Sequence, residues 1–236
     1  WHFAPSKKFS SYKDAIHNLH TQFVKALDIK PHHKVLEIGC GYGKNVRWLA
    51  DHTGAFVQGL TLSPKEVEYV QENKSKDSIS NYDVCQGDYH NMECFEDESF
   101  DMVIGIYCLK YSNRLEKVLS EIKRVLKPHG QFLSYEILRT EDYDKKDGFH
   151  YYYVNNICKA TCMPFLHSTE EFLLKAKNVG FSIKTDKDLS SSDNPWYHHF
   201  YEDNVYKMVC SKLVQWGISL GEGLRILKPG FKRFYN

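Results

Sequence analysis

No apolar run in this chain is long enough to cross a bilayer as a helix. The longest, around residues 102–109, falls well short of the roughly 20 residues that a spanning helix needs. No signal peptide is visible, in a sequence that begins at Trp1 rather than Met. Charge of one sign is missing too: Lys plus Arg number 31 against 30 Asp plus Glu, a formal net charge of +1, with no basic stripe. Nucleic acid is therefore not expected as a partner, because nothing here would concentrate phosphates. Repeats and low-complexity tracts are lacking, so no solenoid or linker is implied. The seven cysteines are odd in number and scattered through core strands and loops, which fits free thiols in a reducing, intracellular compartment. Cys158 and Cys162 stand four apart without a second Cys or His pair of zinc-like spacing, so no metal site is read.

What is plentiful is aromatic. Sixteen Tyr and fourteen Phe in 236 residues are a surplus that suits the walls of a pocket for a large apolar molecule. The length suits one domain with a cap, expected as an aromatic lead and helix (1–33), a core (34–137), an insertion (138–167) and a remaining segment (168–236). Helical spacing recurs over 11–28, 46–53, 64–75, 115–126, 169–178 and 205–214. Between these lie strand-like runs at 34–38, 55–60, 83–86, 99–106, 131–137 and 181–186. Alternation at this pitch predicts an α/β fold with a doubly wound, mostly parallel sheet and right-handed crossovers. The polar, tyrosine-rich stretch 138–167 interrupts it and is too long for a simple connection, which predicts a helical cap or acceptor-binding element.

One stretch carries a built-in chemical use. Val35, Leu36 and Ile38 make a buried strand that ends on Glu37 and passes into Gly39, Gly41 and Gly43 before a helix opens near Asn45. Alternating glycines let backbone approach a ligand closely, and the free N–H groups of the helix start favour electron-rich ligand atoms. Such a loop cradles a nucleotide-like cofactor, or is merely a strand-to-helix turn that needs glycine. The spacing G-x-G-x-G and the absence of an acid at the end of the next strand, Gly59-Leu60-Thr61-Leu62, disfavour NAD.

An acid followed by G-x-G-x-G resembles the first motif of class I S-adenosylmethionine (SAM) methyltransferases. His2-Phe3-Ala4-Pro5, Gly87-Asp88-Tyr89, Arg124-Val125-Leu126-Lys127-Pro128, Ser134-Tyr135-Glu136 with Tyr143-Asp144, and Pro195-Trp196-Tyr197 then resemble, in this order, the sterol C-methyltransferase family. The resemblance implies a Rossmann-like fold, SAM as cofactor, and methyl transfer to a carbon of a sterol or other isoprenoid lipid. It departs from the family pattern at Tyr107, where an acid usually ends the fourth strand, at Tyr111 in place of a histidine, and at Cys158 and Thr161 in place of Glu and Asp. These losses count against alkylation of the side-chain alkene and favour the subgroup that methylates carbon 4 of ring A on 3-keto sterols.

Carried onto this chain, the resemblance assigns Glu37, Gly39 and Gly41 to the methionine part of SAM, Thr61, Leu62 and Glu66 to the ribose side, and Asp88 and Tyr89 to the adenine. Each has a plainer reading. Glu37 is otherwise a strand-end acid in solvent, Asp88 a turn residue, and Glu66 the third residue of a capping box begun by Ser63-Pro64. Tyr107 is expected beside the transferred methyl, where its face suits a sulfonium, or else packed in the core. Methylating carbon needs a base, and His150 and Glu136 are the candidates. Two other functions remain open: a small-molecule N- or O-methyltransferase of phosphobase type, and a SAM- or lipid-binding relative without turnover. Oligomeric state and peripheral contact with a membrane such as the endoplasmic reticulum are left open by the sequence.

Overall fold

The computed structural model describes residues 4–5 and 11–189. Two compact units divide the chain, one over 23–186 and the other drawing on 3–22 and 187–236. In the second, the described residues are chiefly 12–22 of α1 (Tyr12–Leu27), the helix that the Ile16, Leu19, Phe23 spacing predicts. His2-Phe3, Pro195-Trp196-Tyr197 and the helical pattern at 205–214 lie outside the described residues.

The first unit holds the sheet. Five strands, β1 (Lys34–Ile38), β2 (Phe56–Thr61), β3 (Tyr82–Gln86), β4 (Phe100–Ile106) and β5 (Leu126–Tyr135), run parallel in the order β3-β2-β1-β4-β5. β1 therefore sits in the middle, and its end faces the crevice that opens where strand order reverses, the usual ligand position in such sheets. Successive side chains alternate between faces. Leu36 and Ile38 join Val103 against α4 (Leu115–Val125) and α6 (Thr169–Asn178). α4 presents Leu115, Val118, Leu119, Ile122 and Val125, all buried, at helical spacing. Burying each is worth about 1.5–3 kcal/mol, so this stripe fixes how the helix lies. On the other face, α2 (Lys44–Thr53) and α3 (Pro64–Lys74) pack Val46 and Val70 over β2 and β3. Gly59 is obligatory there, since an added Cβ would meet Cys40 Sγ at 2.7 Å and Val84 at 2.9 Å.

Two expectations, at β5 and at 181–186, need correction. β5 begins at Leu126, directly after α4, because Phe100 pairs with Leu126 before a register shift sets Met102 against Gln131; it ends at Tyr135, leaving Glu136 just past the ladder. The insertion is helical, as expected: α5 (Gly148–Ala160) forms within it, capped by Asp147, which accepts the Phe149 and His150 N–H groups. No strand forms over 181–186 among the described residues. That run touches β5 through side chains only, Phe181 against Phe132 and Lys184 Nζ donating to Gln131 (3.0 Å). Alternating apolar residues become a strand only where a neighbour offers a ladder.

Candidate active site

The site is built where β1, β4 and β5, neighbours in the sheet, release their chains. Gly39 turns out of β1 at φ 65°, and a Cβ there would lie 2.5 Å from Cys108 Cβ, so the glycine loop is pressed onto the chain leaving β4. Glu37 is 4 % exposed, and its Oε2 has no partner. Burial raises its pKa to about 7, against a smaller pull downward from the Asn45 amide. The plain reading of Glu37 as a solvated strand-end acid is therefore wrong.

A second acid, half-buried as a residue but with its carboxyl buried, stands across Cys108. Glu136 Oε1 accepts the N–H groups of Cys108 (3.0 Å) and Leu109 (2.9 Å), which open the short 3₁₀ turn Leu109–Tyr111, while Oε2 is buried without a partner. Desolvation carries this carboxyl to about 7 as well, opposed by those amides and by the charge of Lys110. The Cys108 thiol, buried and flanked by both carboxyls, is pushed well above its ordinary value.

Beside Glu136 lie the aromatics. Tyr107 follows β4 at φ 52°, a left-handed backbone that is rare for a bulky side chain and is held by its N–H donating to Tyr135 O (2.8 Å). Its ring stacks on Tyr135 with centroids 5.2 Å apart. Lys110 Nζ stands 4.5 Å from the centre of the Tyr107 ring. Sequence reasoning passed over Lys110; a lysine in a loop ordinarily reads as solvated, and nothing in its spacing marks burial.

The far side of the glycine loop is a polar rim. Ser63 caps α3 as expected and accepts the Glu66 N–H, but the Glu66 side chain does not return to the cap. Its Oε2 accepts the Thr61 hydroxyl proton, and a Cβ on Gly41 would lie 3.8 Å from its Oε1. The capping box thus explains the Glu66 backbone and not its carboxylate, which lies against the loop. Leu62 is 63 % exposed at the end of β2, an apolar pad beside these acceptors. Asp88 Oδ1 accepts both His90 N–H (2.8 Å) and His90 Nδ1–H (2.7 Å), the turn geometry of its plainer reading, with its side chain still 43 % exposed. His90 Nε2 meets Ser112 Oγ at 2.8 Å. An Asp-His-Ser row of this kind suggests a nucleophile, yet Ser112 is wholly buried and its hydroxyl accepts the Arg114 N–H, so the row is a tether. Tyr89 donates its hydroxyl proton to Cys108 O (3.2 Å), tying this rim to the two acids.

His150 is placed differently. It is exposed near the start of α5, its Nδ1 accepts the Asp144 N–H (3.1 Å) and its ring stacks on Tyr143. Those partners hold the loop ahead of α5; neither is part of the Glu37–Cys108–Glu136 group. Tyr151, Tyr152 and Tyr153 are half exposed rather than packed inside the cap. A cavity of about 600 Å³ opens between the 3₁₀ turn and α5, walled by Tyr111, Asn113, Asn155, Cys158, Met163 and Pro164. That size is ordinary for a small-molecule site. Among the described residues no cluster of ligating side chains could hold a metal ion, and no helix is long and apolar enough to cross a membrane.

A cationic nucleoside fits this set. Two buried carboxyls hold unpartnered oxygens, and a cation nearby is what returns such groups to their ionised form. The glycine loop, central β1 and acids at the strand ends define a class I SAM-dependent methyltransferase, whose cofactor is SAM. Comparison with known proteins agrees: residues 36–134 match the methyltransferase domain family. The sterol 4-C-methyltransferase of Caenorhabditis elegans is 34 % identical over 99 % of this chain and 71 % of its own. The 24-methylenesterol C-methyltransferase 2 of Arabidopsis thaliana is 34 % identical over 84 % of this chain, which spans only 55 % of that relative. Among solved structures, a geranyl diphosphate methyltransferase in complex with GPP and sinefungin superposes with a TM-score of 0.77 over 87 % of this chain and 80 % of that one, at 16 % identity, a likeness of fold alone. The chain belongs to the sterol C-methyltransferase family.

Proposed function

We propose that this protein transfers a methyl group from SAM to a carbon of a sterol or related isoprenoid, and specifically to carbon 4 of ring A in a 3-keto sterol. The observation that carries the specific reading is Glu136: a buried carboxyl with one oxygen unspent and a pKa near 7 is matched to taking a proton from carbon at neutral pH. Carbon 4 of a 3-keto sterol bears such a proton, acidified by the adjacent carbonyl. The relative whose alignment runs over nearly the whole chain is a sterol 4-C-methyltransferase, which supports the same choice.

In this reading SAM supplies an already electrophilic methyl group, and the protein's part is to align, exclude water and move one proton. Glu37 holds the cofactor's ammonium or the loop amides around it, with Gly39 and Gly41 giving backbone access to the methionine part. Thr61, Leu62 and Glu66 serve the ribose side; Glu66 replaces the acid that does not end β2, since its carboxylate already reaches Thr61. Asp88 and Tyr89 flank the adenine. Tyr107 lies by the transferred methyl, its strained backbone being of the kind kept where function requires it. The cavity beside the 3₁₀ turn receives the acceptor's hydrocarbon body.

A second reading has one observation in its favour. The stacked phenols of Tyr107 and Tyr135 would also shelter a carbocation, which methylation of a side-chain alkene produces. Incubation with methyl-labelled SAM and a panel of 3-keto sterols, side-chain-unsaturated sterols and phosphoethanolamine decides. Label in the 3-keto sterol is expected; label only in an alkene sterol or in phosphoethanolamine would overturn the specific reading. SAM binding without any product would make the chain a relative that has lost turnover.

A further inference from the structure

Lys110 is the residue that neither the glycine loop nor the family motifs explain. Its side chain lies within the protein, at 7 % exposure. Its Nζ faces the Tyr107 ring at 4.5 Å and the Tyr111 ring at 5.2 Å, and it makes no hydrogen bond or ion pair among the described residues. An ammonium carries three N–H donors, and phenol faces satisfy its charge without accepting those protons well. Desolvation lowers its pKa, and the Glu136 charge partly restores it. Yet their side chains are not bonded to one another: Glu136 gives one oxygen to the backbone of the turn and keeps the other bare. An unspent donor and an unspent acceptor lie within each other's field without pairing. A molecule that offers an acceptor to one and a proton to the other completes both.

We infer that Lys110 is the electrophilic partner of the proton transfer, its ammonium donating a hydrogen bond to the oxygen of a ketone whose neighbouring carbon gives up a proton to Glu136. This rests on the ketone reading of the acceptor. The step balances within the protein and its substrate. The C–H bond breaks, its proton joins the Glu136 carboxylate, its electron pair forms the new carbon–carbon double bond, and the carbonyl π pair moves onto oxygen as an enolate. Lys110 faces that developing negative charge as a donor already in place, which needs no reorganisation as the charge forms. The carbon so activated is the nucleophile that methylation consumes. The same ammonium opposes any path in which positive charge grows on the acceptor, so it sets specificity for carbonyl compounds over unactivated alkenes.

Proton exchange isolates the step. The full chain, saturated with S-adenosylhomocysteine, is incubated in D₂O with a 3-keto sterol, and deuterium at the carbons beside the carbonyl is followed by mass spectrometry and NMR. The unaltered protein is expected to accelerate exchange at carbon 4. Lys110→Met is expected to slow it by roughly 100-fold or more, the scale of losing one oxyanion donor, with unchanged affinity for S-adenosylhomocysteine. Exchange by folded Lys110→Met at the unaltered rate overturns the inference. If Lys110→Met does not fold, Lys110→Gln decides instead: a neutral amide is expected to cost at least about tenfold, being the weaker donor, and full retention overturns the role. Should the unaltered protein neither exchange nor methylate any ketone, the ketone reading falls; methylation of a ketone with Lys110 variants unaffected removes Lys110 alone.

Discussion

Two carboxyls of ordinary value 4.5 are raised to about 7 in the folded, ligand-free protein. The folded state therefore favours their protonated forms. The stability this confers is fully present below pH 4.5 and is lost as the pH rises through about 7, at roughly 1.4 kcal/mol for each pH unit that separates the unfolded and folded values. The melting temperature of the ligand-free protein should fall between pH 5 and pH 8, and Glu37→Gln should flatten that fall; a melting temperature that rises over this interval in the unaltered protein contradicts the burial of these acids as the cause. Of the two candidate bases, Glu136 should dominate. Glu136→Gln is expected to lower turnover by about 10²–10⁴, the worth of a general base, whereas His150→Ala should change it by only a few-fold. Steady-state rates on one acceptor compare the pair directly. Glu37 could be singled out because it lies near the end of β1, just ahead of the glycine loop, and Glu136 because it falls in a motif of the family resemblance. Lys110 could not, since its burial depends on Tyr107 and Tyr111 closing over it. Glu66 was half legible: Ser63-Pro64-Lys65-Glu66 spells a cap, and only the fold shows its carboxylate taken by Thr61.

Elements position these residues, and the tightest joint is the one between the ends of β1 and β4. A methyl group on Gly39 meets Cys108 Cβ at 2.5 Å and forces a left-handed backbone on alanine. Gly39→Ala should therefore destabilise by about 2–4 kcal/mol, from overpacking together with the left-handed strain, and weaken cofactor binding beyond its effect on melting. Calorimetry with S-adenosylhomocysteine, at a temperature where the variant is folded, separates the two effects. The loop after β3 is held in a comparable way. Arg124 donates to Met92 O and Phe95 O, and Glu121 accepts the Met92 N–H, so α4 fixes the segment that follows Asp88 and Tyr89. β1 to β4 and the helices between them were readable from periodicity and caps. The onset of β5 was not, because a proline-glycine turn signal at 127–130 sits inside an irregular stretch of ladder. The expected strand at 181–186 failed for a different reason: alternation specifies a face, while pairing needs a partner that local sequence does not reveal.

Across the whole molecule, the acids and the aromatic cap lie at one end of a parallel sheet, and the protein's chemistry follows from what that end buries. Tyr107 and Tyr111 place two phenols here, and the Lys110 ammonium faces both. The charge pattern thus suits an acceptor that becomes negative on the way to product. The cavity between the 3₁₀ turn and α5 has room for such a molecule, with the Asn113 and Asn155 amides on one part of its wall and Cys158, Met163 and Pro164 on another. The most direct measurement is the position of the new methyl group, located by NMR in the product made from a 3-keto sterol that also carries a side-chain double bond. The methyl is predicted on carbon 4, beside the carbonyl. A methyl on the side chain would contradict the role given to Glu136 and Lys110.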